Sequence, residues 1–125
     1  MSENIHIDMN PPIDYSAVLD RIGGDTSFLQ DLLNLFFREF SEKKNLLEKA
    51  LSRGDSAQIQ EVGHSLKGAS ANLSLIPLQK LGLAIETAGR EKNLDTARNA
   101  IASLGAEFQR LRAFLETHPP GKQVG

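Results

Sequence analysis

From Leu94 to Leu115 an apolar residue returns every third or fourth position without a break: Leu94, Ala97, Ile101, Leu104, Phe108, Leu111 and Leu115. A stripe with that period lines one side of an α-helix, whereas strand side chains alternate with a period of two. The period recurs upstream. Leu78, Leu81, Ile85 and Ala88 follow it, with Pro77 suited to a first helical turn and Gly89 near the end. Ile59, Val62, Leu66, Ala69 and Leu73 follow it as well, after a stop at Gly54 and a cap at Asp55. The longest helix is expected from a cap at Asp25 or Thr26 to about Leu51. Phe28, Leu29, Leu32, Leu33, Leu35, Phe36, Phe37 and Phe40 give its first half an arc wide enough for contacts on more than one side. Beyond Phe40 the pattern thins to Leu46, Leu47, Ala50 and Leu51. A short helix carrying Ala17, Val18 and Leu19, capped by Asp14 and ended by Gly23-Gly24, precedes it. No run alternates like a strand, and the connections are short. The expected fold is all-α: an antiparallel up-and-down four-helix bundle with a short additional N-terminal helix over one end.

The 125 residues suit one domain with its own core. Residues 1–12, ending in Met9-Asn10-Pro11-Pro12, lack periodicity and read as a flexible lead-in. The bundle is assigned to 13–116. Thr117-His118-Pro119-Pro120-Gly121 ends the last helix, leaving 117–125 as a flexible tail. A net charge of −2 with both signs interspersed lacks the clustered basic surface of a nucleic-acid binder. Without cysteine there is no disulfide framework or thiolate metal site, which suits a reducing compartment. With no apolar run long enough for a bilayer and no signal peptide, the chain reads as cytoplasmic and free of the membrane. Helices whose stripes close on one another make a monomer the expectation.

One stretch is poorly explained by packing: Gly63-His64-Ser65-Leu66-Lys67-Gly68. On the helical wheel His64 falls about 180° from the middle of its apolar stripe, so its ring faces water. Lys67 lies one turn on, beside Gly68, and Ala71 two turns on. Ala57, Gln60 and Glu61 share that outer face one or two turns earlier. Glycine inside a helix costs about 1 kcal/mol relative to alanine, and at position 68 it clears the surface beside the ring. Gly63 points to the buried edge, where close approach of another helix explains it. An exposed imidazole with an ammonium neighbour suits a nucleophile that accepts an anionic group, with Lys67 offsetting phosphoryl charge.

The run His64-Ser65-Leu66-Lys67-Gly68-Ala69-Ser70-Ala71-Asn72-Leu73 resembles the signature of histidine-containing phosphotransfer (HPt) domains, H-x-L-K-G followed by small residues and Asn-Leu. The similarity extends more loosely from about Ile13 to Leu115. Ser74 departs from it, standing where many members have glycine. The resemblance implies that His64 is the phosphoacceptor, through its outward Nε2, and that Lys67 supports phosphoryl charge. It implies a phosphorelay intermediate that takes the group from a receiver-domain aspartyl phosphate and passes it to another receiver. Partners would be receiver domains of response regulators and hybrid histidine kinases. Ala57, Gln60, Glu61, Gly68 and Ala71 would form the docking surface, with Gln60 able to bond phosphate oxygens and Glu61 tuning partner choice. No cofactor is expected on this chain, Mg²⁺ coming from the receiver. Most phenylalanines of the long helix read as core, and the resemblance allows one or two to lie exposed beside the histidine.

Autonomous kinase activity is not expected, since neither a G-x-x-x-x-G-K-[ST] loop nor a protein-kinase Gly-rich signature occurs. A histidine-kinase dimerisation helix usually carries an acidic residue after its histidine and a proline one turn later; here Ser65 follows, and no proline occurs before Pro77. Two alternatives stand beside the relay. One is an HPt-like docking module that regulates a partner without phosphotransfer. The other is a metal or haem protein using His64, for which no His or Cys shares the helix face and His6 and His118 lie in the tails.

Overall fold

The structure, a computed structural model, describes residues 10–121. Five helices make up the described residues, with no strand: α1 (Tyr15–Arg21), α2 (Thr26–Arg53), α3 (Ser56–Asn72), α4 (Ile76–Arg90) and α5 (Leu94–Thr117). Four of them begin on a side chain that accepts from an otherwise orphaned backbone N–H. Asp14 accepts from Ala17 N, Asp25 from Phe28 N, Asp55 from Gln58 N and Asn93 from Thr96 N, at 2.9–3.1 Å. For α4 Pro77 lies in the first turn and no side chain caps it. Gly54 ends α2 in the left-handed conformation, at φ 67°.

Each apolar stripe turns inward. Leu29, Leu33 and Leu47 from α2, Ile59 and Leu66 from α3, Leu78 and Ile85 from α4, and Leu104 and Leu111 from α5 are wholly buried in one core. Burial of each such side chain stabilises the fold by about 1.5–3 kcal/mol. The wide arc of α2 divides. Phe36 and Phe40 are buried, and Phe40 stacks on Phe108 of α5 at 4.3 Å between ring centroids. Phe28, Leu35 and Leu46 stay exposed. Facing pairs run in opposite order on α2 and α5: Arg112 lies over Phe37, Phe108 over Phe40, and Gly105 near Lys44.

Helices α3 and α4 make the closest pairing, because glycine stands at each contact. A Cβ on Gly63 would lie 2.5 Å from Glu86 N, one on Gly82 2.6 Å from Lys67 N, and one on Gly89 2.4 Å from Gln60 N. Real Cβ atoms do not approach that closely, so the two backbones meet only without side chains there. The order again reverses, with 60, 63 and 67 on α3 facing 89, 86 and 82 on α4.

The ends differ from expectation. Thr117 belongs to α5, and His118 stacks on Phe114 while its carbonyl accepts from the Tyr15 hydroxyl. Asn10 O accepts from Arg110 at 3.0 Å and Pro12 is buried. Both boundaries are held by contacts about a hundred residues apart in sequence, which no local period signals. Of the segments expected to be flexible, 1–9 and 122–125 lie outside the described residues.

Candidate functional site

Helix α3 turns Ile59, Val62, Gly63, Leu66 and Ser70 inward and leaves His64 on the outside, its side chain 69% exposed. The ring does not stand free in water. Its Nδ1 lies 2.9 Å from Oε2 of Glu86 on α4. An ionised carboxylate only accepts, so Nδ1 donates to it, and in the neutral ring Nε2 then carries the lone pair. Lys67 is engaged by the same group, its Nζ 2.8 Å from Glu86 Oε1. One carboxylate, its side chain 11% exposed, therefore ties together two residues a turn apart on the facing helix.

The Lys67 ammonium first, and the His64 ring second, hold the Glu86 carboxyl below its ordinary value of 4.5, against the opposing effect of burial. Gly63 lets the carboxylate reach them. Its absent Cβ allows the backbone of Glu86 to lie against α3, directly beside His64.

Around the ring opens a shallow groove of about 400 Å³, lined by Ala57, Gln60, Glu61, His64 and Glu86. Three of the nominated docking residues thus share one groove with the histidine. Gly68 and Ala71 are not in it. Gly68 lies exposed further along α3, where a Cβ would meet nothing of this chain within 4 Å. Ala71 is half-buried, and its carbonyl accepts from Arg21 of α1 at 3.0 Å.

Arg21 also donates to Asn72 O at 2.8 Å and to Ser74 Oγ at 2.6 Å, closing the end of α3. Ser74 is in the left-handed region, at φ 57°, the conformation that favours glycine. Serine here adopts the backbone that glycine favours, and its hydroxyl accepts from Arg21.

Glu86 is the site residue that the helical pattern did not reveal. Its apolar neighbours Ile85 and Ala88 placed that face in the core, and the pairing with His64 spans 22 residues of sequence. A usable signal existed: Glu86 is the sole acidic residue of α4 and stands between Gly82 and Gly89, where a helix approaches closely. Among the described residues no group of three or more His, Cys, Asp or Glu side chains is placed to hold a metal ion, and no helix is long and apolar enough to cross a membrane. Residues 31–114 match the Hpt domain family. No curated protein matches the chain.

Proposed function

The chain belongs to the Hpt domain family, phosphotransfer modules of two-component systems that are not themselves kinases and that interact with receiver domains, and on that premise we propose that His64 is its phosphoacceptor. The observation that carries this reading is the His64–Glu86 contact, because in the neutral ring it makes the outward Nε2 the nucleophilic nitrogen. The group arrives as an aspartyl phosphate on a receiver. The Nε2 lone pair attacks phosphorus, an N–P bond forms, the P–O bond to the aspartyl oxygen breaks, and the aspartate leaves as a carboxylate. No proton has to move, since Nδ1 keeps its own. The ring becomes cationic, and the Glu86 carboxylate faces that charge. Attack by the aspartate of a second receiver reverses each step.

Lys67 lies within a turn of the reacting nitrogen, and it supports the phosphoryl charge while neutralising Glu86. The groove of Ala57, Gln60 and Glu61, continued along α3 by Gly68 and Ala71, is the docking surface. Mg²⁺ belongs to the receiver in this reading. We further infer an up-and-down arrangement of α2 to α5 with α1 across one end, acting as a cytoplasmic monomer. The reversed pairings of α2 with α5 and of α3 with α4 support the arrangement.

The test is transfer from a phosphorylated receiver domain to this chain, with His64→Gln alongside. An acid-labile, base-stable label on the wild type alone is expected. Binding without label across a broad receiver panel would instead favour a docking module.

A further inference from the structure

Glu61 stands one helical turn before His64 on α3, exposed at the rim of the groove. The two carboxylates that line this groove are in different states. Glu86 has Lys67 on one oxygen and His64 on the other. Glu61 has no ion pair or hydrogen bond among the described residues. Lys67, the cation one turn beyond His64 on the same helix, is engaged on Glu86.

Side chains three residues apart on a helix are neighbours, with Cβ atoms about 5–6 Å apart. A phosphoryl group on Nε2 of His64 would face an uncompensated carboxylate, as would the aspartyl phosphate of an approaching receiver. Anions at that range repel, and a cation placed between them reverses the sign. Among the described residues no cation of this chain pairs with Glu61, which leaves that place to the partner.

Taking His64 as the phosphoacceptor, we infer that Glu61 selects the receiver. The groove seats a lysine or arginine side chain of the receiver's docking face, with Glu61 as counter-ion, and receivers that present a carboxylate there are repelled. Glu61 does not touch the reacting atoms; it governs which partner docks. An exposed pair of this kind is screened by salt, which gives the inference a signature that packing does not share.

The experiment measures transfer to the full chain from receiver domains phosphorylated with acetyl phosphate, at low and high salt, for wild type, Glu61→Gln and Glu61→Lys. Labelling of His64 by phosphoramidate, which needs no receiver, runs beside it. Glu61→Lys is expected to raise the KM for the receiver about tenfold at low salt with the saturated rate unchanged, and Glu61→Gln by less. Both effects shrink at high salt, and phosphoramidate labelling is not slowed, because losing a carboxylate beside the ring only eases the approach of that small anion. Reversing the facing lysine or arginine of the receiver to glutamate restores transfer to Glu61→Lys. An unchanged KM at low salt, or an equal loss of phosphoramidate labelling, overturns the inference. If neither phosphoramidate nor any receiver labels His64 in the wild type, the phosphoacceptor reading itself falls, and selection by Glu61 with it.

Discussion

Glu86 does two things with one carboxylate: Oε2 fixes the proton on His64 Nδ1, and Oε1 holds Lys67 beside the ring. Glu86→Gln keeps the shape and removes the charge. The amide no longer imposes a single tautomer, nor does it carry a charge to offset the cationic ring that phosphorylation of Nε2 would create. Labelling of His64 by phosphoramidate is expected to slow by about 10- to 100-fold, the usual cost of losing such an orienting partner. Nitrogen NMR of the imidazole checks the cause, showing a mixed tautomer in the variant and Nδ1–H in the wild type. The carboxyl also makes stability depend on pH, with a definite sign. Lys67 and then His64 lower its titration in the folded state, so the folded chain binds that proton more weakly than the unfolded one. Its contribution is present above 4.5 and is lost as pH falls through the lower, folded value. Urea unfolding across pH 3–7, a range spanning ordinary carboxylate values, should show wild type and Glu86→Gln converging only at the acid end.

At the scale of the helices, two glycines of α3 have opposite meanings. Gly63 is where α4 touches, and a methyl group there would strike the Glu86 backbone. Gly63→Ala is expected to cost about 1–3 kcal/mol in chemical denaturation, as overpacking does, and to move Glu86 off His64 so that phosphoramidate labelling slows too. Gly68 touches nothing of this chain. Gly68→Ala should be neutral or add up to about 1 kcal/mol of stability, and its cost should appear only in transfer from a receiver. The difference between these glycines was legible in the helical wheel, because a 3.6-residue period says which side of α3 is buried. The same arithmetic made the four long helices legible, and with them the caps at Asp14, Asp25 and Asp55, each a local i to i+3 event; Asn93 was not singled out, and α4 has no side-chain cap. Glu86 was not legible as a partner of His64, since its position reads as core edge and only the α3–α4 pairing shows what it meets. One or two exposed phenylalanines on α2 were allowed for, but not which residues would be exposed, Phe28 and Leu35 among them, because a wide apolar arc does not say how much of it the neighbours cover.

In the whole molecule, α1 is bonded both to the end of the histidine helix and to the end of α5. Arg21 caps the end of α3 through Ala71 O, Asn72 O and Ser74 Oγ, and Tyr15 reaches the carbonyl of His118 after α5. Arg21→Ala is expected to lower stability by about 1–2 kcal/mol, the scale for hydrogen bonds to a charged donor near the surface, with fraying of the last turn of α3 seen by hydrogen exchange. Burial pushes the Tyr15 hydroxyl up to about 12 from an ordinary value of 10.0. Its contribution is complete below 10 and is lost as pH rises through the folded value, so alkaline unfolding should set in later for Tyr15→Phe, which has no proton to lose. The Arg21 bonds hold the C-terminal end of α3 while its outer face stays open. The most direct test of the account is phosphorus–nitrogen correlation NMR of the phosphorylated full chain. The account predicts one phosphorylated site, on Nε2 of His64 with Nδ1 still protonated; a phosphoryl group on Nδ1, or on any other residue, would contradict it.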